Sequence, residues 1–287
     1  MERKNFFAPF TMEQLEKQYE RLGLENQFIF GKVMKDKSLC IQMLECLTGN
    51  TIDDVNEITV EKFVKICNDA KGVRYDVYIE DSLNRIYDAE MQNLNSITKE
   101  ELPLRSRFYQ GMIDLALLES GTDYITLQES YVIFICTSDP FDRNLGCYSI
   151  SNLCHEDISL PFNDKRTILY FNTKGNLDSI SENAKNFLNY IESRTINGDF
   201  VKQLDNAVKN ARLNKKWRVE YMHSVVHDRD MINIGKREGI EKGMIALIRV
   251  CRKMNISDDV ILENLITEFE INEEMAKDLL LKECTTR

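Results

Sequence analysis

Residues 72–92, GVRYDVYIEDSLNRIYDAEMQ, leave little choice but a β-hairpin. Two alternating runs, VRYDVYI and RIYDAEMQ, flank a polar tip at residues 81–84, and a period of two is that of a strand with distinct faces. Alternation assigns Val73, Tyr75, Val77 and Ile79 to one face of the first run, and Arg74, Asp76, Tyr78 and Glu80 to the other. In the second run it separates Tyr87, Ala89 and Met91 from Asp88, Glu90 and Gln92. A turn centred on Leu83 sets Asp76 opposite Glu90 and Tyr78 opposite Asp88. Opposed Cβ atoms in an antiparallel pair lie about 4.5–5.5 Å apart, where like charges destabilise. An Asp–Glu pair is tolerated there if water solvates both acids, if one takes up a proton, or if a divalent cation lies between them. Hard cations such as Mg²⁺ take carboxylate oxygens together with substrate phosphates. Asp76 and Glu90 are therefore the candidate metal ligands.

The spacing carries a resemblance. Asp76, thirteen residues, then Glu90-Met91-Gln92 resembles the Asp…(Asp/Glu)-x-Lys element of PD-(D/E)XK nucleases, with Gln in the Lys position. The flanks sharpen it. FIFGKVMKDKSLCIQMLECLTG lies upstream and KGVRYDVYIED leads in; LPLRSRFYQGMIDLALLESGTDY and SYVIFICTSDPF follow. Together they resemble the PD-(D/E)XK nuclease family transposases, or recombination-promoting nucleases, over roughly residues 24–175. The resemblance is looser over the tail, at REGIEKG.

It implies an α/β fold: a nuclease-like mixed sheet flanked by helices, with a helical C-terminal region. It implies Mg²⁺ or Mn²⁺ as cofactor, DNA as partner, Asp76, Glu90 and Gln92 as catalytic residues, and the Met91 carbonyl as a third metal ligand. Glu45, on a helix before the hairpin, is the candidate for the auxiliary acid that such nucleases often draw from their first core helix. In this fold class the helix after the hairpin packs beside it. Arg105, Arg107 and Gln110, near the start of that helix, are therefore candidate DNA-phosphate contacts, and Arg suits bidentate phosphate recognition. A neutral Gln92 orients water but lacks the charge of Lys, so the metal, a second metal or an Arg such as Arg107 has to compensate.

The formal net charge of −10 excludes an unspecialised nucleic-acid coat, because phosphate binding relies on Lys and Arg. It is compatible with an enzyme basic only around its cleft. The N-terminus lacks the apolar run of a signal peptide, and no stretch approaches 18 apolar residues. A cytoplasmic location is expected, with no membrane partner. The eight cysteines form no C-x-x-C pair, in keeping with reduced thiols. His223 and His227, four apart, lack the acidic motif of a metalloprotease helix, and Cys147, Cys154 and His155 are irregularly spaced.

Along the chain, periodicity predicts helices over 11–22, with Thr11 as N-cap, and over 26–47, then a strand over 58–67 before the hairpin. A polar connection containing Pro103 leads to a helix over 104–119. The continuous apolar run 130–137 reads as a strand buried on both faces, and 167–172 as a further strand. This gives a nuclease-like domain over 1–180 and a helical region over 181–287. Ser181, Ser257 and Asn272 are expected helix caps. Gly235, Gly239 and Gly243, four apart, suggest a mobile connector or a self-association face. Homo-oligomers through the C-terminal helices are one consequence. The overall expectation is a metal-dependent DNA endonuclease, transposase-like and promoting recombination. Two alternatives stand beside it: a catalytically weak relative that binds DNA or a partner, and a helical assembly protein.

Overall fold

The structure, a computed structural model, describes residues 11–93 and 98–285. Three short helices precede the sheet: α1 (Met12–Tyr19), α2 (Gln27–Val33) and α3 (Lys37–Thr48). Thr11 and Gln14 form a capping box at α1. The single helix expected over 26–47 is two, because Asp36 accepts from the Leu39 N–H and starts α3 afresh. Gly49, at φ 74°, closes α3 in the left-handed conformation that glycine adopts without penalty.

Six strands follow in one sheet: β1 (Val55–Val64), β2 (Val73–Asp81), β3 (Ile86–Gln92), β4 (Ser130–Cys136), β5 (Cys147–Ile150) and β6 (Arg166–Asn172). Their spatial order is β1-β2-β3-β4-β6-β5. β1, β2 and β3 are antiparallel; β3, β4 and β6 run parallel; β5 returns antiparallel on the far edge. The sheet is thus mixed and flanked by helices, as the fold reading expected. The continuous apolar run is the central parallel strand β4, buried at every position.

The crossover from β3 to β4 contains α4 (Glu101–Leu117). It starts before Pro103, because proline in the first helical turn lacks only an N–H that has no partner there anyway. Leu102, Tyr109, Met112 and Ile113 of α4 pack on Val132, Phe134 and Tyr170 of the sheet. The opposite face receives α2. A Cβ on Gly31 would lie 2.6 Å from Val60 Cγ1, so only glycine lets α2 sit this close to β1.

Helices α5 (Glu182–Ser193) and α6 (Asp199–Leu213) belong with the sheet: the Tyr19 hydroxyl donates to the Ala211 carbonyl at 2.7 Å. Ser181 caps α5 through the Ala184 N–H. The first compact unit runs to Arg218 and the second starts at Val219. α7 (Lys215–Lys253) is continuous through Gly235, Gly239 and Gly243, so these glycines interrupt no helix. The second unit has its own core, in which Met244, Ile248 and Cys251 pack with Ile261 and Leu265 of α8 (Asp258–Phe269) and Ala276 of α9 (Glu273–Thr285). Asn272 caps α9 through the Met275 N–H; Ser257 precedes α8 without a side-chain cap bond. Among the described residues no helix is long and apolar enough to cross a membrane.

Candidate active site

The β2–β3 ladder has Tyr78 opposite Asp88 and ends at Val77 opposite Ala89. Beyond it β2 stays with β1, and the hairpin opens. Asp76 and Glu90 meet at the opening. The Asp76 N–H donates to Glu90 Oε1 at 2.8 Å, and Asp76 Oδ2 accepts the Met91 N–H at 3.1 Å.

A local irregularity in β1 produces this. Val60 pairs with Val77 and Lys62 with Tyr75, but no pair forms between Glu61 and Asp76. Glu61 has φ 56°, which only a few per cent of non-glycine residues adopt. This unpaired step leaves the Asp76 N–H free of the β1 ladder, and it donates to Glu90 instead. It also breaks alternation in β2. Val73, Tyr75 and Tyr78 all join the cluster under α4, although Tyr75 and Tyr78 are three apart. The expected separation of Tyr75 from Tyr78 by face is thus overturned.

On β3 the alternation holds. The Ile86 N–H donates to Glu129 and the Gln92 carbonyl accepts from Thr137, so even-numbered residues direct their backbone to β4. Met91 therefore directs its N–H and carbonyl to the open side, where Asp76 lies. The carbonyl faces the same opening.

Arg105 of α4 reaches under the strand. It donates to Glu90 Oε2 at 3.0 Å, to Gln92 Oε1 at 2.8 Å and to the Tyr109 hydroxyl at 2.6 Å. The Gln92 amide nitrogen donates to the Asn93 carbonyl at 2.9 Å. The positive charge beside Gln92 is therefore that of Arg105, not of Arg107, which is exposed. Arg105, expected as a phosphate contact, is paired with the Glu90 carboxylate in this structure. Gln110 is buried and donates to Ser130, so it cannot reach a phosphate from where it stands. Glu45 accepts the Ile52 N–H at 3.1 Å and serves the turn after α3. The helical contribution to the site comes instead from Gln27 of α2, whose amide nitrogen donates to Asp76 Oδ1 and Oδ2 at 2.7 and 2.8 Å.

A third acid lies behind these two. Asp88 is fully buried, and neither of its oxygens has a hydrogen-bond donor among the described residues. Its neighbour is the Glu90 carboxyl, and a bond between the two needs a proton on one of them. Burial, then the charges of Glu90 and Asp76, push the Asp88 carboxyl well above its ordinary range. Burial and the Asp76 charge push Glu90 up to about 8. Burial raises Asp76 to about 6 against the hydrogen bonds from Gln27 and Met91. Three buried acids against one guanidinium leave excess negative charge, which protons or a divalent cation would relieve. Among the described residues no group of three or more His, Cys, Asp or Glu is arranged to hold a metal. Two carboxylates and a carbonyl are nevertheless the kind of set from which Mg²⁺ takes ligands while keeping several waters.

The site opens into a groove of about 650 Å³ between α4 and the lead into β2, with Asp76 and Arg105 in its lining. A family model described as PD-(D/E)XK nuclease family transposase matches residues 27–234. The chain belongs to that family. The match takes in α2, the hairpin, α4 and the sheet, so every residue of the Asp76–Glu90–Gln92 set falls inside it. No curated protein and no solved structure matches the chain.

Proposed function

We propose that the protein is a divalent-metal-dependent endodeoxyribonuclease that hydrolyses phosphodiester bonds in the cytoplasm in the course of DNA recombination. The observation that carries the reading is the convergence of Asp76, Glu90 and the Met91 backbone where β3 parts from β2. Asp76, Glu90 and the Met91 carbonyl would hold Mg²⁺ or Mn²⁺. When bound, such an ion lowers the pKa of water and stabilises charge on a phosphoryl group. Gln27 holds the Asp76 carboxylate in orientation. Arg105 fixes Glu90 and the Gln92 carbonyl oxygen, and supplies the cationic charge that the neutral Gln92 lacks. Purified protein should nick or cut DNA with Mg²⁺ or Mn²⁺, and Asp76→Asn or Glu90→Gln should abolish this. Full activity in either variant ends the assignment.

A second reading has its own support: Gln27 and Arg105 already engage both carboxylates. A relative that binds DNA without cutting it would show affinity and no product with any divalent ion. Self-association through the C-terminal helices is a separate proposal, tested by sedimentation of the full chain against a chain ending before α7.

A further inference from the structure

We propose that the groove takes DNA with an unpaired nucleotide at the point of attack, either a single strand or a flap, in preference to an intact duplex. This rests on the nuclease reading and names the substrate class of the same site. The groove is lined by apolar and cationic side chains, with Gln27 and Asp76 inside it and one exposed acid, Glu101, at its edge. Leu104 and Phe108 are one turn apart on α4 and remain exposed, at 56% and 37%. Lys71, Arg74 and Arg107 are exposed beside them. Lys71 and Arg107 have no ion-pair partner among the described residues, and Arg74 has only a long contact of 3.9 Å with Glu61. A chain of net charge −10 has thus gathered cations at one rim. Cations that track a phosphate backbone beside apolar rings on which bases stack are the means by which proteins hold unpaired strands.

Depth argues the same way. Asp76, in the lining of the groove, is 6% exposed, and Glu90, which accepts from the Asp76 N–H, 1%. A reacting phosphate has to descend past Leu104 and Phe108. A duplex, held stiff by its complement, meets the rim before its phosphates can come down to acids this buried. An unpaired nucleotide avoids this, and its base finds the Phe108 ring.

The test is fluorescence anisotropy on the full chain in Ca²⁺, with one labelled sequence presented as single strand, as a duplex with an unpaired flap and as a blunt duplex. Single strand and flap should bind about tenfold more tightly than the blunt duplex, the effect of stacking one base. Phe108→Ala should remove most of that preference and Phe108→Tyr should keep it. Both positions are partly exposed, so the melting temperature should hardly change, and Leu104→Ala provides an independent variant. Lys71→Ala and Arg107→Ala should weaken all three DNA forms alike and flatten the salt dependence. Equal affinity for flap and blunt duplex, or a preference indifferent to Phe108→Ala and Leu104→Ala, overturns the proposal while leaving a DNA-binding protein. Absence of binding to all three forms overturns the nuclease reading as well.

Discussion

Glu61, at φ 56°, stands across from Asp76 in the β1–β2 ladder, and the two form no ladder pair although their neighbours on both sides do. The left-handed conformation of this residue is what frees Asp76 for Glu90. An L-residue there costs about 1–2 kcal/mol, which glycine does not incur. Glu61→Gly should therefore leave stability unchanged or raise it by up to about 1 kcal/mol in urea unfolding. Glu61→Val should lower it by about 1–2 kcal/mol and weaken the Mn²⁺-induced rise in melting temperature. A valine variant as stable and as responsive to metal as the parent would dissociate the Glu61 conformation from the site.

Gln27 acts on the proposed ion only through Asp76. Loss of such outer partners commonly costs 10–100-fold in metal affinity or activity. Gln27→Ala should reduce Mn²⁺ affinity, read by calorimetric titration, within that range, and Gln27→Glu should bring a fourth negative charge to the cluster. Retention of parental affinity in both variants would remove Gln27 from the site.

The buried acids fix the sign of the pH dependence in metal-free protein. Glu90 rises from an ordinary 4.5 to about 8, and Asp76 from 3.8 to about 6. Both bind protons more tightly folded than unfolded. Their contribution to stability is complete below the ordinary values and is lost as pH rises through the folded ones. Urea unfolding should show stability falling between about pH 4 and pH 8, with a flatter slope in Glu90→Gln. Saturating Mn²⁺ should reverse the trend, because the cation binds the ionised forms. A metal-free stability that climbs from pH 5 to pH 8 would contradict the acid cluster.

Among the described residues Arg105 is the cation that pairs with Glu90, and breaking a buried pair from one side typically costs about 3–5 kcal/mol. Glu90 can escape much of that by taking a proton. Arg105→Ala should therefore cost about 3 kcal/mol above pH 8 and distinctly less at pH 6, in paired denaturation curves. A cost independent of pH would show that Arg105 acts by packing on Tyr109 and Phe134 rather than by charge.

Asp88 contributes a proton and no fixed bond. Asparagine has nearly the same shape and donates to Glu90 at every pH. Asp88→Asn should match the parent at pH 5 and gain on it at alkaline pH, because an amide does not ionise. Destabilisation at both pH values would assign Asp88 a role that an amide cannot fill.

The hairpin, its register and the central strand were legible because each has a local signal: alternation with a turn, or an unbroken apolar run. The elements missed have none. β5 is four residues at an edge. The alternation of β2 fails because of Glu61 on another strand, which no pattern within 72–92 records. Gln27 is neutral and 49 residues from Asp76, so neither charge nor spacing points to it. Asp88 fell on the predicted face of Glu90 and Gln92, and its lack of a donor is a property of packing. Arg105 and Arg107 are two apart on α4. A helix turns about 200° over that step, which sends one to the carboxylates and the other to solvent.

The hairpin also separates metal chemistry from loop length. The acids are set by the pairing of Val77 with Ala89, on the side remote from the tip at 82–85. Asn84, at φ 60°, and exposed Leu83 take part only in the reversal. Residues inserted at that reversal would lengthen the sequence interval between Asp76 and Glu90 and leave their juxtaposition unchanged. The tip is accordingly a place to graft a fluorophore or an affinity peptide, and a fixed count of residues between two acids is a poor criterion for recognising sites built this way.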